Sequence, residues 1–486
     1  MNRIEGVIEQ LKKNWYSLLY VFSFLLYAVS VVTIEFNTDA GYFLHLTQLI
    51  ARGYQPFVDF APAYPILTFY LLLPVKLLLG KYFTYKVALV ILHCFTFANT
   101  VLVFRICALF AVNRLVAQMV AIFFLIATFL CEGHFYILEP YVVFFGLSAV
   151  YVYLKHSERF IMIVLAGISV ALSFFAKQYG LGYFPLLILL VVMHNERNYK
   201  KTIVHLVAVM IGFIGCVVAY VALFRHVAGG YQFLDTFTSQ GYNRRTFTGL
   251  VQMALFAIQL SPCVFFAPVV WKYCERHQKK LLLFSIFGLV GFSGALWFGT
   301  FKHYLILVLP FISILTALIL DIFRVKNERL FLVLASIPVS FMIGGILEIG
   351  FFTCMPNVLA HFAPVNSIKA KNSIRDTTLR DVLIERIGHN NKILIVMGET
   401  MPPYMYFKAD LLPAGLLKRG VGFGFEGHNV GYLVQKADDA HYVCISVDEY
   451  KAFSKKAEFN SFTALLNQNF AQPEIVLGRY YLFCRK

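Results

Sequence analysis

The sequence contains few charged residues for its length. Only 14% of its 486 residues are Asp, Glu, Lys or Arg, whereas soluble domains have about 25%. Hydrophobic residues make up 59%, and the mean hydropathy is +0.70. Apolar runs recur along the chain at about the 20 residues that a helix needs to cross a bilayer. This composition excludes soluble and disordered chains, and it predicts a polytopic α-helical membrane protein.

Several motifs are missing. None of the nine cysteines forms a Cys-x-x-Cys pair, which argues against zinc and redox motifs. Cys444 and Cys484 lie in the polar C-terminal part, and the sequence leaves open whether they form a disulfide. No Asn-x-Ser/Thr sequon occurs, which favours a bacterial inner membrane over the endoplasmic reticulum. No small-residue cleavage site accompanies the first apolar run, so that run predicts an uncleaved helix.

The net charge of +16 would suit a nucleic-acid-binding protein. Most of the excess, however, lies in short loops between the apolar runs. Lys and Arg in such loops set the orientation of a membrane protein. The sequence therefore predicts a membrane lipid environment and no nucleic-acid partner.

The apolar runs predict about eleven membrane spans. They lie near 16–34, 86–107, 114–131, 138–154, 159–176, 179–193, 202–224, 249–271, 281–299, 303–322 and 328–350. Another apolar stretch, 64–79, is short and contains Pro74 and Lys76. We therefore expect it to be a juxtamembrane helix that lies in the outer interface.

The charge of the loops sets the predicted topology. The loops on one side hold 14 Lys and Arg, whereas the opposite side, apart from the first loop and the tail, holds five. The positive-inside rule then places the N-terminus in the cytoplasm and the C-terminus outside. The outer segments are the first loop, 35–85, a loop near 225–248, and a tail from 353.

The tail differs in composition from the rest of the chain. Its segments 392–398 and 441–447 read as strands, 374–387 and 458–470 as helices, and the last residues as a hairpin that turns at Gly478. The predicted domains are thus a transmembrane domain, 1–352, and a small extracytoplasmic α/β domain, 353–486.

Ionisable residues collect at the predicted outer boundary of the membrane. Any one of them could instead be an interfacial anchor. Together they suit a reaction of a lipid-borne phosphate, because cations bind phosphate and a carboxylate can take a proton from a hydroxyl. They are Asp39, Asp59, Glu139, Lys177, Arg244, Arg245, Lys302 and His303.

The same segments carry a family resemblance. The stretch from Asp39 to Tyr42 resembles the first-loop catalytic motif of the GT-C fold membrane glycosyltransferases, which use polyprenyl-phosphate sugars. ARGYQPFVDFAPAYPILTFYLLLP, LEPYVVFFGLSAVYVYLK, FAKQYGLGYFPLL and KHYLILVLP are similar to later motifs of that family, in the same order. The resemblance covers residues 16–323. It is closest to the branch of protein O-mannosyltransferases and lipid A aminoarabinose transferases.

The sequence departs from this branch at two points. Ala40 follows Asp39 where many members have a second acid, which argues against a metal-bridging carboxylate pair. Ala63 and Tyr64 stand where the aminoarabinose transferases have a lysine before a proline. The second departure argues against aminoarabinose as the transferred sugar.

The resemblance implies an inverting glycosyl transfer at the outer face of the membrane. Asp39 would be the catalytic base toward an acceptor hydroxyl on a glycan, lipid or protein. Lys177, Lys302 and His303, with Arg244 or Arg245, would neutralise the departing phosphate. Tyr42, Asp59 and Glu139 would complete the binding of substrate. The resemblance implies no metal ligand, and it leaves a divalent cation open as the cofactor.

Two other functions predict different sequence features. A lipid-linked glycan polymerase or ligase shares the donor, but it usually has its large outer loop between spans. A non-enzymatic glycolipid transporter predicts ionisable residues at the membrane midplane and symmetric halves, and the sequence shows neither.

Overall fold

A computed structural model describes most of the chain. Its described residues are 21, 25, 27–29, 31, 38–56, 59–60, 62, 64–196, 198–225, 251, 265–298, 302–348, 379, 381–388, 391–396, 406, 411–413 and 430–486. They fall into two compact units. The first takes its described residues from Met1–Ile34, Leu89–Leu223 and Thr238–Pro356, and the second from Glu35–Ala88, Phe224–Phe237 and Asn357–Lys486.

These units group the first loop with the tail, whereas the predicted domains separate them at residue 352. The predicted division concerns membrane topology and stays a prediction.

Helices dominate the described residues. The longer ones, in chain order, are α1 (Thr38–Ala51), α2 (Leu67–Leu79), α3 (Tyr85–Leu109), α4 (Arg114–Thr128), α5 (Glu139–His156), α6 (Phe160–Ala176), α7 (Tyr183–His194), α8 (Tyr199–Arg225), α9 (Arg276–Phe298), α10 (Leu309–Lys326), α11 (Glu328–Leu347), α12 (Val430–Asp439), α13 (Val447–Ser454) and α14 (Asn460–Asn469).

Four of the described helices are long and apolar enough to cross a membrane. They are Tyr85–Leu109, Arg114–Gly133, Tyr199–Leu223 and Glu328–Leu347. Helices α5, α6, α7, α9 and α10 also coincide with predicted spans. The predicted spans 16–34 and 249–271 lie largely outside the described residues, so the count of eleven stays a prediction.

Local sequence signals set where several of these helices begin and approach one another. The side chain of Asn113 accepts a hydrogen bond from the Leu115 amide and caps the start of α4, as expected for an N-cap residue. Helices α6 and α8 pack backbone to backbone, since a Cβ on Gly167 would lie 2.2 Å from the Val209 carbonyl oxygen. Small residues at such crossings are typical of helices packed in lipid.

The second unit contains α1 and α2 of the first loop. Helix α1 is buried along most of its length, and its Phe43 ring stacks on Phe69 of α2 at 6.1 Å between centroids. Helix α2 coincides with the stretch expected to lie in the interface. It buries Thr68, Phe69 and Leu72 and exposes 84% of Leu78, which gives it one apolar exposed end.

The described residues of the tail form a five-stranded sheet in this unit. Its strands are β1 (Lys392–Val396), β2 (Leu412–Pro413), β3 (Tyr442–Ser446), β4 (Glu474–Val476) and β5 (Tyr480–Cys484), and their order is β2-β1-β3-β5-β4. The β1 strand pairs in parallel with β2 and β3, whereas β5 pairs antiparallel with β3 and β4.

Alternate residues of the central strands pack on opposite faces of the sheet, as the two-residue period of a strand requires. One face buries Ile393, Ile395 and Cys444, and it includes Tyr406. The Tyr406 hydroxyl donates to the Ile393 carbonyl at 3.0 Å and accepts from the Ile395 amide at 2.9 Å. The His45 ring of α1 stacks on Tyr406 at 5.6 Å between centroids, so the first loop packs against the tail.

The structure confirms most of the predicted tail elements. The strands expected at 392–398 and 441–447 are β1 and β3, and the hairpin turns at Gly478, whose φ of +64° suits glycine. The helix expected at 458–470 is α14. Of the helix expected at 374–387, residues 379 and 381–387 are described, and they are helical. Cys444 is buried, Cys484 is exposed, and neither forms a disulfide.

Candidate functional site

A buried ion pair joins two of the predicted site residues. Lys177 Nζ lies 2.5 Å from Glu139 Oε1, and the two side chains are only 3% and 1% exposed. Glu139 begins α5, directly before Pro140, and Lys177 follows the last residue of α6 in an extended conformation. Because α5 and α6 are antiparallel neighbours, the start of one meets the end of the other.

Hydrogen bonds from apolar helices hold the backbone around this pair. The Ser173 hydroxyl of α6 donates to the Val142 carbonyl at 2.8 Å, and the Asn99 amide of α3 donates to the Pro140 carbonyl at 2.8 Å. All of these groups are buried. The two hydrogen bonds therefore join α3, α5 and α6 around the ion pair.

His303 connects the ion pair to a second carboxylate. Its Nδ1 lies 2.9 Å from Glu132 Oε2, and its Nε2 lies 4.0 Å from Glu139 Oε1. His303 belongs to a short 3₁₀ segment, Lys302–Leu307, that precedes α10. The structure thus brings together Glu139, Lys177 and His303, as the sequence predicts, and it adds Glu132.

Sequence reasoning missed Glu132. The signal was present, because this acid stands at the end of the apolar run 114–131, where ionisable residues are often functional. It stands outside every motif that carries the family resemblance, and nothing in the sequence indicates that it pairs with a residue 171 positions away.

Two tyrosines flank the Lys177 ammonium group. Its Nζ lies 4.6 Å from the Tyr304 ring centroid and 5.5 Å from that of Tyr179. The two rings pack edge to face at 5.3 Å. A cation over aromatic faces is stabilised by the ring quadrupole, more so when it is desolvated, so these rings add a favourable contact to the buried ammonium group.

The other predicted residues occupy different environments. Lys302 is exposed at the start of the 3₁₀ segment. Asp59 accepts a 2.6 Å hydrogen bond from the Gln55 amide within a local turn. Tyr42 is fully buried and packs edge to face against Phe43. A predicted role in substrate binding for each of these residues stays a prediction.

The structure describes three of the predicted site residues only in part or not at all. The backbone of Asp39 lies in the first turn of α1, but its side chain is outside the described part of the structure. Arg244 and Arg245 are outside the described residues altogether. Among the residues that are described, no group of three or more His, Cys, Asp and Glu side chains could hold a metal ion.

The comparisons with known proteins identify the fold. No protein-family model matches the chain, and no curated protein matches its sequence. The structure of ArnT from Cupriavidus metallidurans in the apo state does match, with a TM-score of 0.60 at 13% identity over 97% of this chain and 98% of that chain. The same protein bound to undecaprenyl phosphate matches with a TM-score of 0.57 at the same identity and coverage.

An archaeal protein matches as well. The oligosaccharyltransferase AglB from Archaeoglobus fulgidus, in complex with an inhibitory peptide and a dolichol-phosphate, gives a TM-score of 0.51 at 13% identity over 98% of this chain and 75% of that chain. ArnT and AglB are GT-C fold glycosyltransferases. This chain has the GT-C fold. With its apolar helices, it is an integral membrane protein.

Proposed function

We propose that this protein is a membrane glycosyltransferase. It transfers a hexose or pentose from a polyprenyl-phosphate donor to an acceptor hydroxyl, with inversion, at the outer face of a bacterial inner membrane. The observation that carries the proposal is the charged cluster Glu132–His303–Glu139–Lys177 at the ends of apolar helices. Glu139, Lys177 and His303 are buried in it, and Glu132 is half-buried. A cluster largely removed from water at a helix boundary suits a phosphate that arrives from the lipid phase.

The comparisons support the class of donor. The ArnT structure is bound to undecaprenyl phosphate, and the AglB structure is in complex with a dolichol-phosphate. Each ligand is a long isoprenoid chain that carries one phosphate. A chain with the same fold and a cationic group at the end of its apolar helices can bind the same kind of lipid.

The buried ion pair refines the role of Lys177. Its charge is already matched by Glu139, so a phosphate that approached it would have to share the ammonium group with that carboxylate. Lys302 is exposed, and we propose it as the cation that meets the phosphate first. Lys177 then stabilises the negative charge that develops on the leaving phosphate as the glycosidic bond breaks.

The acid–base role remains with Asp39, as the sequence predicts. An acceptor hydroxyl attacks the anomeric carbon opposite the phosphate, and the carboxylate accepts the hydroxyl proton. The bond from the anomeric carbon to the phosphate oxygen breaks, and polyprenyl phosphate leaves. Tyr42, Asp59 and Glu139 are proposed to shape the substrate sites, together with Arg244 and Arg245 in the second outer loop.

The proposal is tested with the full-length protein in lipid nanodiscs. Wild-type protein should bind undecaprenyl phosphate, and it should release that lipid from one member of a panel of undecaprenyl-phosphate hexoses and pentoses, detected by mass spectrometry. His303→Gln should weaken both. The matched control is Lys201→Gln, because Lys201 forms an ion pair with Glu158 at 2.8 Å at the other end of α5 and α6.

The same question can be asked in cells. Mass spectrometry of envelope glycans and glycoproteins, with and without the gene, should show the loss of one sugar from one acceptor. Unchanged glycans, together with no binding of undecaprenyl phosphate by the purified protein, would contradict the proposed function.

A further inference from the structure

The end of the helix Arg114–Gly133 has an unusual backbone. Residues Phe129–Gly133 form a π-turn, and within it Glu132 has φ +67° and ψ 10°. This left-handed conformation is uncommon for residues other than glycine, and glutamate has no short side chain to bond locally as Asn and Asp do. Such outliers persist when the surroundings enforce them, and they cluster at functional sites.

The neighbours of Glu132 show what enforces this turn. A Cβ on Gly133 would lie 2.4 Å from the Thr128 carbonyl oxygen, so only glycine fits there. The His134 ring bonds to the Phe129 carbonyl at 2.8 Å, and the Phe135 amide donates to the Glu132 carbonyl at 3.0 Å. These contacts fix the backbone, and they do not need a glutamate side chain at position 132.

The glutamate side chain has a specific partner instead. Its Oε2 lies 2.9 Å from His303 Nδ1. Because an ionised carboxylate can only accept, the His303 Nδ1–H must donate this hydrogen bond. The bond fixes the plane of the imidazole, whose Nε2 lies 4.0 Å from Glu139. A carboxylate that orients a histidine in this way is common where the other ring nitrogen has a function.

We propose that Glu132 is a positioning residue that orients His303 in the site for the lipid phosphate. The proposal rests on the proposed function, since His303 is one of the groups assigned to the phosphate there. The strained backbone at Glu132 is retained because its side chain, directed by the left-handed turn, reaches His303.

The direction in which phosphate binding changes when Glu132 is removed distinguishes a positioning role from mere proximity to the site. A glutamate that merely lies near an anion site repels the phosphate, so its removal would tighten binding. A glutamate that orients His303 would, when removed, loosen it. Glycine at this position would also relieve the backbone conformation, so the stability and the binding should move in opposite directions.

The experiment uses undecaprenyl phosphate as the probe and the full-length protein in nanodiscs. Glu132→Gly should melt at the same temperature as wild type or about 1–2 °C higher, and it should bind the probe about 10-fold more weakly, as expected when a hydrogen bond to a charged group is lost. Glu132→Gln keeps an oxygen that can accept from Nδ1–H, so it should bind between the two.

A matched control exists in the same unit. Ala111 also has a positive φ, 57°, and it is exposed between α3 and α4. Ala111→Gly should therefore give a similar change in melting temperature with unchanged binding. Because Glu132 acts through His303, the double variant of Glu132→Gly and His303→Gln should bind no more weakly than His303→Gln alone.

The other possible outcomes of the experiment either support or overturn the proposal. Equal or tighter binding by Glu132→Gly, or additive losses in the double variant, would overturn it. If Glu132→Gly does not fold, Glu132→Gln decides alone: weaker binding at an unchanged melting temperature supports the proposal, and equal or tighter binding overturns it. A wild-type protein that does not bind the probe would instead count against the proposed function.

Discussion

Removing one partner of the Glu139–Lys177 pair should strongly destabilise the protein. At 2.5 Å between Nζ and Oε1, the Coulomb attraction is about 7 kcal/mol at an effective dielectric constant of 20. Much of it offsets the cost of removing both charges from water. Lys177→Gln leaves the Glu139 carboxylate buried without that partner charge, which typically costs about 3–5 kcal/mol. Glu139→Gln should cost a similar amount for the same reason.

The double variant Glu139→Gln with Lys177→Gln provides the diagnostic comparison. It removes both buried charges and leaves two neutral amides of similar size that can bond to each other. It should therefore recover most of the lost stability, because neither partner is left as an uncompensated buried charge. The measurement is thermal unfolding of the full-length protein in one detergent for all variants.

An exposed ion pair of this protein serves as the control. Lys201 and Glu158 lie 2.8 Å apart, but their side chains are 33% and 77% exposed, so water and salt screen their attraction. Lys201→Gln should leave the melting temperature nearly unchanged. If Lys177→Gln were no more destabilising than Lys201→Gln, the claim that the buried pair organises this end of α5 and α6 would fail.

Three other predictions concern topology, catalysis and the tail. Reporter fusions at Lys155 and Gln278 should give cytoplasmic signals and a C-terminal fusion an outer one; a cytoplasmic C-terminus would refute the topology. Asp39→Asn should keep donor binding and lower turnover by about 10²-fold or more, since Asn cannot accept the proton; wild-type turnover would remove Asp39 from the chemistry. A maleimide at pH 8 should label Cys484 and spare Cys444, because burial raises the pKa of the Cys444 thiol to about 12; equal labelling would show that the sheet is not packed as described.

Motif order indicated much of the candidate site, but not how its charges are paired. The LEP, AKQ and KHY segments marked Glu139, Lys177 and His303 as residues at one boundary of the membrane. Their contacts depend on how antiparallel helices pack, which no local pattern encodes. For the same reason the sequence presented Lys177 as a phosphate ligand, whereas the structure shows its charge already matched by Glu139.

In the tail as well, the sequence predicted individual elements but not their arrangement. Alternating apolar residues predicted β1 and β3, and Gly478 predicted the turn between β4 and β5. The strand order β2-β1-β3-β5-β4 and the stacking of His45 on Tyr406 were not predictable, because they join residues far apart in the chain. Sequence reasoning accordingly treated the first loop and the tail as separate parts, while their contacts place them in one compact unit.

Composition and hydropathy by themselves determined that this chain is a helical membrane protein. Spans are set by the length of apolar runs, and the cost of an unpaired backbone in lipid leaves helices as the solution for such runs. Only the tertiary structure showed that Glu132 forms a hydrogen bond with His303. That contact requires a left-handed residue at the end of one helix to face a short segment before another, and both the turn and the approach are products of packing rather than of local sequence.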